Sequence, residues 1–146
     1  MNARTRDAYG NRARVLVADD HPSLLDRVVS ILDGEFSVVG TVSDGETLIA
    51  REAELEPDVL VVDVCMPGIS GLEAAGLIRK RGSRAAVVCL TAHNTWDVIE
   101  AAWEAGAIAF VAKSAIASDL LPAVRSALEG RRFVSESISA AEHKHP

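Results

Sequence analysis

The stretch that decides the fold is residues 57–75, PDVLVVDVCMPGISGLEAA. The run DVLVVDV at 58–64 is almost continuously apolar, which is typical of a strand buried on both faces of a parallel sheet. Ser70 and Glu73 then have the spacing of a capping box, which predicts the start of a helix. The stretch therefore predicts a buried strand, a short loop and a helix, with Asp63 at the carboxyl end of the strand.

The same order of elements repeats on both sides of this stretch. Further strand-like runs lie at 14–18, 37–42, 85–92 and 107–113, and apolar stripes at helical spacing follow them. Strands that alternate with helices require right-handed crossovers, which place helices on both faces of the sheet. The sequence thus predicts an α/β fold with a doubly wound, five-stranded parallel sheet.

Local signals predict where three of the helices begin. Pro22 suits the first position of the first helix, and Ser43 with Glu46 has capping-box spacing for the second. The last helix is predicted to open near Ser118. Pro122 should then fall in its first turn or just beyond, because a proline deeper inside would kink the helix.

Length and composition indicate one globular domain. The chain has 146 residues, of which 49% are hydrophobic and 25% charged. We expect the domain to span 14–130, between a flexible tail at 1–13 and a linker stump or tail at 131–146. No apolar run approaches the roughly 18 residues that cross a bilayer, and the polar start has no signal-peptide pattern, so a cytoplasmic protein with no membrane contact is expected.

Charge and cysteine content narrow the function classes further. Residues 1–14 carry a net charge of +3 and the remainder −9, so the acidic body is a poor nucleic-acid surface. The arginine-rich tail could touch nucleic acid or an acidic partner, although such tails are mostly solvated. Cys65 and Cys89 lie in apolar runs without metal-ligand spacing, which predicts reduced thiols in the core.

Chemically active side chains follow the ends of four predicted strands. In an open parallel sheet, ligands bind beyond the carboxyl ends of the strands. The groups at these ends are Asp19, Asp20, Asp63, Thr91 and Lys113. A single aspartate at a strand end is more often a helix cap, and a single lysine is usually solvated. Five such groups on one rim instead indicate a site.

The composition of this rim predicts its chemistry. Three converging carboxylates repel one another, and a hard divalent cation removes the repulsion. Oxygen ligands without His or Cys favour magnesium. A lysine and a hydroxyl at the same point suit the equatorial oxygens of a transferring phosphoryl group. The rim therefore predicts phosphoryl transfer onto a carboxylate, with Asp63 as the nucleophile.

Four segments carry a family resemblance: VLVADDHPSLL at 15–25, the stretch at 57–75, VVCLTA at 87–92 and GAIAFVAKS at 106–114. Together they resemble the receiver domain of two-component response regulators. The D-D-H-P start and the M-P-G-x-S-G-L-E loop resemble the NarL/FixJ (LuxR-type) subfamily. The resemblance spans roughly 14–130 and implies the flavodoxin-like (βα)5 receiver fold.

The resemblance implies a set of metal ligands around the phosphoacceptor. Asp63 matches the phosphoacceptor, and Asp19 and Asp20 match the acidic pair. Asp20 and Asp63 are expected as direct ligands of Mg²⁺ (or Mn²⁺), with Asp19 often acting through water. The backbone carbonyl of Cys65 completes the implied protein ligands, and no organic cofactor is expected.

The resemblance also implies how the domain switches. Thr91 matches the switch hydroxyl, Lys113 the lysine that pairs with the phosphoryl group, and Phe110 the switch aromatic that turns inward. The face formed by the fourth helix, the fifth strand and the fifth helix is then expected to change shape.

The implied partner is a sensor histidine kinase that donates a phosphoryl group. The protein would not be an enzyme in the ordinary sense, although it would catalyse its own phosphotransfer and autodephosphorylation. The implied output is transcription, provided that a helix-turn-helix domain accompanies this one. DNA would be bound only through that absent domain and not by this one, and the family is compatible with a homodimer.

Two positions depart from the family pattern. Many receivers have a proline directly after the lysine, often in a cis peptide, whereas this chain has Ser114. The Lys113 loop is therefore expected to be trans or more mobile. Phe110 lacks the hydroxyl of the commoner tyrosine, so this ring forms no hydrogen bond that marks the active state.

Several further residues have two interpretations each. Cys65 and His93 match positions that flank the path of hydrolytic water, so we hypothesise that they tune autodephosphorylation; the alternatives are a buried filler and a solvated loop residue. His21 is more simply a helix-start residue than a metal ligand. Trp96 and Trp103 share a helix face, either as packing or as a partner contact. His143 and His145 have no predicted role.

Three other functions compete with the signalling switch. An aspartyl-phosphate phosphohydrolase usually has a second carboxylate just after the nucleophile, whereas Val64, Cys65 and Met66 follow Asp63. A flavodoxin-type binding module needs a phosphate loop after the first strand, where this chain has an acidic pair. A phosphorylation-independent receiver that acts only as a dimer, scaffold or interaction module would have no use for the complete set of rim residues. A stand-alone receiver that is phosphorylated stays an alternative.

Overall fold

The computed structural model describes residues 12–92 and 96–138, with the backbone alone described at Trp96. Its parallel sheet has the strand order β2-β1-β3-β4-β5-β6. The strands are β1 (Arg14–Ala18), β2 (Ser37–Val42), β3 (Val59–Asp63), β4 (Ala86–Thr91), β5 (Ala109–Ala112) and β6 (Phe133–Val134). The helices are α1 (Pro22–Leu32), α2 (Gly45–Leu55), α3 (Gly71–Lys80), α4 (Trp96–Glu104) and α5 (Ile116–Leu128).

Helices cover both faces of the sheet, so the doubly wound α/β prediction is confirmed. Alternate side chains of each central strand point to opposite faces. Val15 and Val17 of β1 pack in one core cluster with residues of α1 and α5, whereas Leu16 packs in the other with residues of α2, α3 and α4. The continuous apolar runs of the sequence are explained by this burial on both sides.

The prediction of five strands is wrong, because the sheet has a sixth. Phe133 and Val134 pair in parallel with Ala109 and Phe110 of β5. Ile138, four residues further on, is completely buried. Two residues are too few to show a periodicity, so this strand left no recognisable signal in a segment that was otherwise typical of a linker.

The helix starts agree with the sequence signals at α1 and α3 but not at α2. Pro22 occupies the first turn of α1, and the Ser70 hydroxyl caps α3 by accepting a hydrogen bond from the Glu73 N–H. The capping residue of α2 is Asp44 and not Ser43. Its carboxylate accepts hydrogen bonds from the N–H and hydroxyl of Thr47, and these bonds lower the pKa of Asp44.

Helix α5 begins earlier than predicted. A 3₁₀ turn at Lys113–Ala115 leads directly into Ile116, and Pro122 lies inside the helix. Proline removes one intrahelical hydrogen bond, but the helix continues because Leu120 and Val124 bury their side chains against the sheet. Tertiary packing has overridden the local signal.

No helix in the described ranges combines the length and apolarity needed to cross a bilayer.

A close backbone approach fixes the start of α3 against the end of β3. A Cβ atom on Gly71 would lie 2.0 Å from the Asp63 carbonyl oxygen and 2.7 Å from a methyl group of Val62. Only glycine leaves room for this contact. The sequence S-G at the start of α3 thus caps the helix and seats it beside Asp63.

Candidate functional site

The acidic rim forms where β1 and β3 end side by side. Asp63 is the last residue of β3, and Asp19 follows β1 directly. Both carboxylate side chains are almost completely removed from solvent. The Asp19 N–H donates to the Val42 carbonyl at 3.0 Å, which ties this turn to β2 as well. The topology therefore brings two carboxylates from distant parts of the sequence into one buried pocket.

Lys113 reaches this pocket from the end of β5. Its Nζ donates to Asp63 Oδ2 at 2.9 Å and lies 3.9 Å from Asp19 Oδ2. The Lys113 side chain is 20% exposed, whereas that of Asp63 is 1% exposed. At this distance, the Lys113 ammonium group is the positive charge nearest to Asp63 in the part of the chain that the structure describes. No peptide bond in the described ranges is cis, so the Lys113–Ser114 bond is trans.

The surroundings of Asp63 disfavour its charged form. Burial raises the pKa of Asp63 above the ordinary 3.8, and the charge of Asp19 acts in the same direction. The hydrogen bonds from Lys113 and from the Cys65 N–H, which is 3.1 Å from Oδ1, lower this pKa but do not cancel the effect of burial. A buried carboxylate that is only partly compensated attracts further positive charge.

The carboxylates fit a divalent cation. Asp19, Asp20, His21 and Asp63 each offer one ligand atom, and these atoms lie within 4.8 Å of one another. Asp19 Oδ2 is buried and accepts no hydrogen bond. A buried carboxylate oxygen without a donor is costly, and a bound cation would satisfy it. The oxygen-rich donor set suits Mg²⁺ or Mn²⁺.

His21 lies closer to the acidic pair than the sequence suggested. It occupies the position that caps α1, as expected, but its side chain forms no cap hydrogen bond. Its Nδ1 instead lies 3.1 Å from Asp19 Oδ1 and 3.2 Å from Asp20 Oδ1. The helix-start interpretation therefore agrees with the structure, and the same residue also contacts the acidic pair. The D-D-H order was the only sequence signal of this contact.

Thr91 and Phe110 occupy the neighbouring strands. Thr91 is the buried last residue of β4, and its register partner is Ala112, the residue before Lys113. The Phe110 ring is buried, with Trp103 of α4 packed edge-on at 4.4 Å between ring centroids. The guanidinium carbon of Arg132 lies 3.9 Å from the centre of a Trp103 ring. Trp103 thus contributes to packing; the Trp96 side chain lies outside the described residues.

The two cysteines differ from each other. Cys89 is buried, as predicted, and burial together with the nearby charge of Asp63 raises the pKa of its thiol to about 12. Cys65 is exposed, so the prediction of a core thiol is wrong at this position. It follows the end of β3, where the chain has already turned out of the sheet. His93, His143 and His145 lie outside the described residues.

The sheet and its rim define a class of protein: a doubly wound α/β domain with an acidic pocket closed by a lysine. A family model described as the response regulator receiver domain matches residues 15–125. The chain belongs to this family, and its relatives place it in the NarL/FixJ (LuxR-type) subfamily.

The similarity extends over most of the chain. It is 34% identical over 129 residues to the response regulator GacA of Pseudomonas viridiflava, and 31% identical to the nitrate/nitrite response regulator NarL of Escherichia coli strain K12. These matches cover 86% and 87% of this chain, but 60% of each relative. A LuxR-family response regulator from Aurantimonas sp. SI85-9A1 superposes with a TM-score of 0.86 at 30% identity, covering 90% of this chain and 96% of that one.

Proposed function

We propose that this domain is a phosphorylation-dependent switch of a two-component system, with Asp63 as the phosphoacceptor. The observation that carries the proposal is the 2.9 Å contact between Lys113 Nζ and Asp63 Oδ2 inside a buried acidic pocket. A carboxylate used only for structure would gain nothing from two neighbouring aspartates. Family membership supports the same assignment.

The residues around Asp63 divide the work of phosphoryl transfer. An oxygen of the Asp63 carboxylate attacks the phosphorus, and the bond from phosphorus to the donor breaks, with its electron pair leaving on the donor. Lys113 neutralises an oxygen of the transferred group, and the Thr91 hydroxyl moves to another. Asp19, Asp20, Asp63 and the Cys65 carbonyl would hold Mg²⁺. When bound, the cation offsets the negative charge of the phosphoryl oxygens.

The physiological donor is proposed to be the phosphohistidine of a sensor kinase. Cleavage of its P–N bond returns the electron pair to the imidazole nitrogen. The domain itself catalyses the transfer and the later hydrolysis. The protein is thus a phosphoacceptor that catalyses its own phosphorylation and autodephosphorylation. The relatives are named as response regulators, and the matches cover 60% of their length, which supports an output in transcription through a further domain. DNA binding would belong to that domain, and phosphorylation would favour a homodimer.

Cys65 and His93 are proposed to tune the lifetime of the phosphoryl group. Cys65 is exposed two residues after Asp63. The family resemblance implies that a side chain at this position flanks the path of water. Replacing either residue by alanine should change the half-life of phosphorylated protein, measured by intact mass after donor removal. Unchanged decay in both variants would contradict this role.

The proposed function is tested by intact mass spectrometry. The protein is incubated with Mg²⁺ and a small acyl-phosphate donor such as acetyl phosphate, and Asp63→Asn serves as the control. We expect one added phosphoryl group in the wild type, and none without metal or in the variant. A folded wild-type protein that takes up no phosphoryl group would overturn the proposal.

A further inference from the structure

The segment after α5 contacts the switch residues directly. The Ser135 N–H donates to the Phe110 carbonyl at 2.9 Å. The Ser135 hydroxyl accepts from the Ala112 N–H at 3.0 Å and donates to Asp119 Oδ2 at 2.6 Å. Ser135 is 1% exposed. One buried serine therefore joins the end of β5, the start of α5 and the segment that follows α5.

The contact with Ala112 lies at the point where regular strand pairing stops. Strand β6 pairs with β5 only at Phe133 and Val134. Beyond this pairing, the Ala112 N–H of β5 donates its hydrogen bond to the Ser135 hydroxyl and not to a backbone carbonyl. Lys113 follows Ala112 directly, so this side-chain bond fixes the backbone from which the lysine reaches Asp63.

The same segment also contacts the side chain that packs against Phe110. Arg132 covers Trp103, and Trp103 packs edge-on against Phe110. Ile138 anchors the far end of the segment in the core. Residues 132–138 thus contact Ala112, which precedes Lys113, and Trp103, which packs against Phe110.

We propose that Ser135 is a positioning residue for phosphoryl transfer, acting on Lys113 through the Ala112 N–H. Segment 132–138 then responds to the phosphoryl group, because the positions of Lys113 and Phe110 are linked to its docking. This inference rests on the proposed function and deepens it. Segment 132–138 lies after residues 15–125, which are the residues that the family model matches.

The chain offers a conservative variant for the test. Ser135 borders an open surface depression that is also lined by Ser114, Ser118, Asp119 and Glu136, among others. Ser135→Thr keeps a hydroxyl on the same Cβ atom and is therefore the conservative variant. Ser137→Ala, at an exposed position on the same segment, is the matched control.

The first measurement is the phosphorylation rate with acetyl phosphate and Mg²⁺, followed by intact mass. Ser135→Ala should slow the reaction by roughly fivefold, the effect expected from one hydrogen bond. Ser135→Thr should restore it, and Ser137→Ala should leave it unchanged. Calorimetric Mg²⁺ affinity should be the same in all four proteins, since the hydrogen bonds of Ser135 go to Phe110, Ala112 and Asp119 and not to Asp19, Asp20 or Asp63. A general loss of folding would instead lower this affinity together with the rate.

The second measurement is amide exchange of the full chain with Mg²⁺, with and without beryllofluoride as the phosphoryl mimic. The Ala112 and Ser135 amides should change their exchange rates when the mimic binds. If the wild type is phosphorylated but Ser135→Ala reacts at the wild-type rate, or both amides exchange unchanged, the positioning role is wrong. If the wild type itself takes no phosphoryl group, the proposed function is wrong and this inference falls with it.

Discussion

At the scale of single residues, the site depends on a buried carboxylate that is only partly neutralised. Lys113 contacts Asp63 Oδ2 at 2.9 Å, yet burial still raises the pKa of Asp63. A fully compensated ion pair would have little affinity for a further cation or for the phosphoryl chemistry proposed above. Incomplete neutralisation of Asp63 leaves the site able to bind a cation. The cost of the buried charge to the free energy of unfolding can be measured.

Asp63→Asn should stabilise the metal-free protein at neutral pH. A raised pKa means that folding favours the protonated form. The stability that this group contributes is therefore full below about pH 3.8 and lost as the pH rises through the folded-state pKa. The asparagine variant does not titrate, so its advantage in the urea midpoint should grow over that range. An advantage independent of pH, or one equalled by the exposed Asp26→Asn, would contradict this explanation.

Added Mg²⁺ should reverse the order of stability, so that the wild type becomes more stable than Asp63→Asn. The wild type gains stability from metal bound only by the folded state, whereas Asp63→Asn has lost one ligand. Urea midpoints at increasing Mg²⁺ concentration should therefore rise more steeply for the wild type. Parallel slopes would show that Asp63 is not a ligand.

His21 should influence which cation the site prefers. Its Nδ1 lies 3.1 Å and 3.2 Å from oxygens of Asp19 and Asp20, so a metal held by this pair has a nitrogen within reach. Imidazole favours transition metals over Mg²⁺. His21→Asn should weaken Co²⁺ binding by roughly tenfold, within the range seen when the surroundings of a metal are altered, and change Mg²⁺ binding little. Equal effects on both ions in calorimetry would argue against a nitrogen ligand.

At the scale of elements, the position of α3 depends on one glycine. Gly71→Ala would place a methyl group 2.0 Å from the Asp63 carbonyl oxygen, so we expect a cost of about 1–3 kcal/mol in the free energy of unfolding. Gly76 lies in the same helix, and a Cβ there would meet nothing within 4 Å. Gly76→Ala should therefore stabilise by about 0.5–1 kcal/mol. Chemical denaturation of both variants checks this contrast, and equal shifts would contradict it.

The elements and the rim were largely predictable because each follows from a local pattern. Buried apolar runs predicted β1 to β5, and their carboxyl ends predicted where Asp19, Asp63 and Lys113 would meet. Two of the failures have a common cause, namely a tertiary contact with no local signal. The sixth strand and the position of Pro122 inside α5 both depend on packing between distant segments, and the Ala112–Ser135 bond joins residues 23 apart.

At the scale of the whole molecule, the sheet ends with its shortest strand. β6 has two residues and covers the edge of β5, where Val134 pairs with Phe110. An open strand edge invites pairing with other chains, and a short covering strand reduces this risk. Contacts with the sheet therefore continue past Gly130, and the described segment 132–138 packs against both the core and the residues of the proposed site.

Ile138 should accordingly contribute to stability like a core residue. It is completely buried in the cluster that also contains Phe110, so Ile138→Ala should cost about 2–5 kcal/mol. Leu77→Ala removes a similar side chain at a position that is 48% exposed, and should change stability by about 0.5 kcal/mol or less. Urea unfolding of the two variants provides the comparison. Equal small effects would mean that residues 131–138 are dispensable and that the domain ends at Gly130. A large cost at Ile138 alone would place the structural boundary beyond it, and any shortened form of this receiver should then retain the segment.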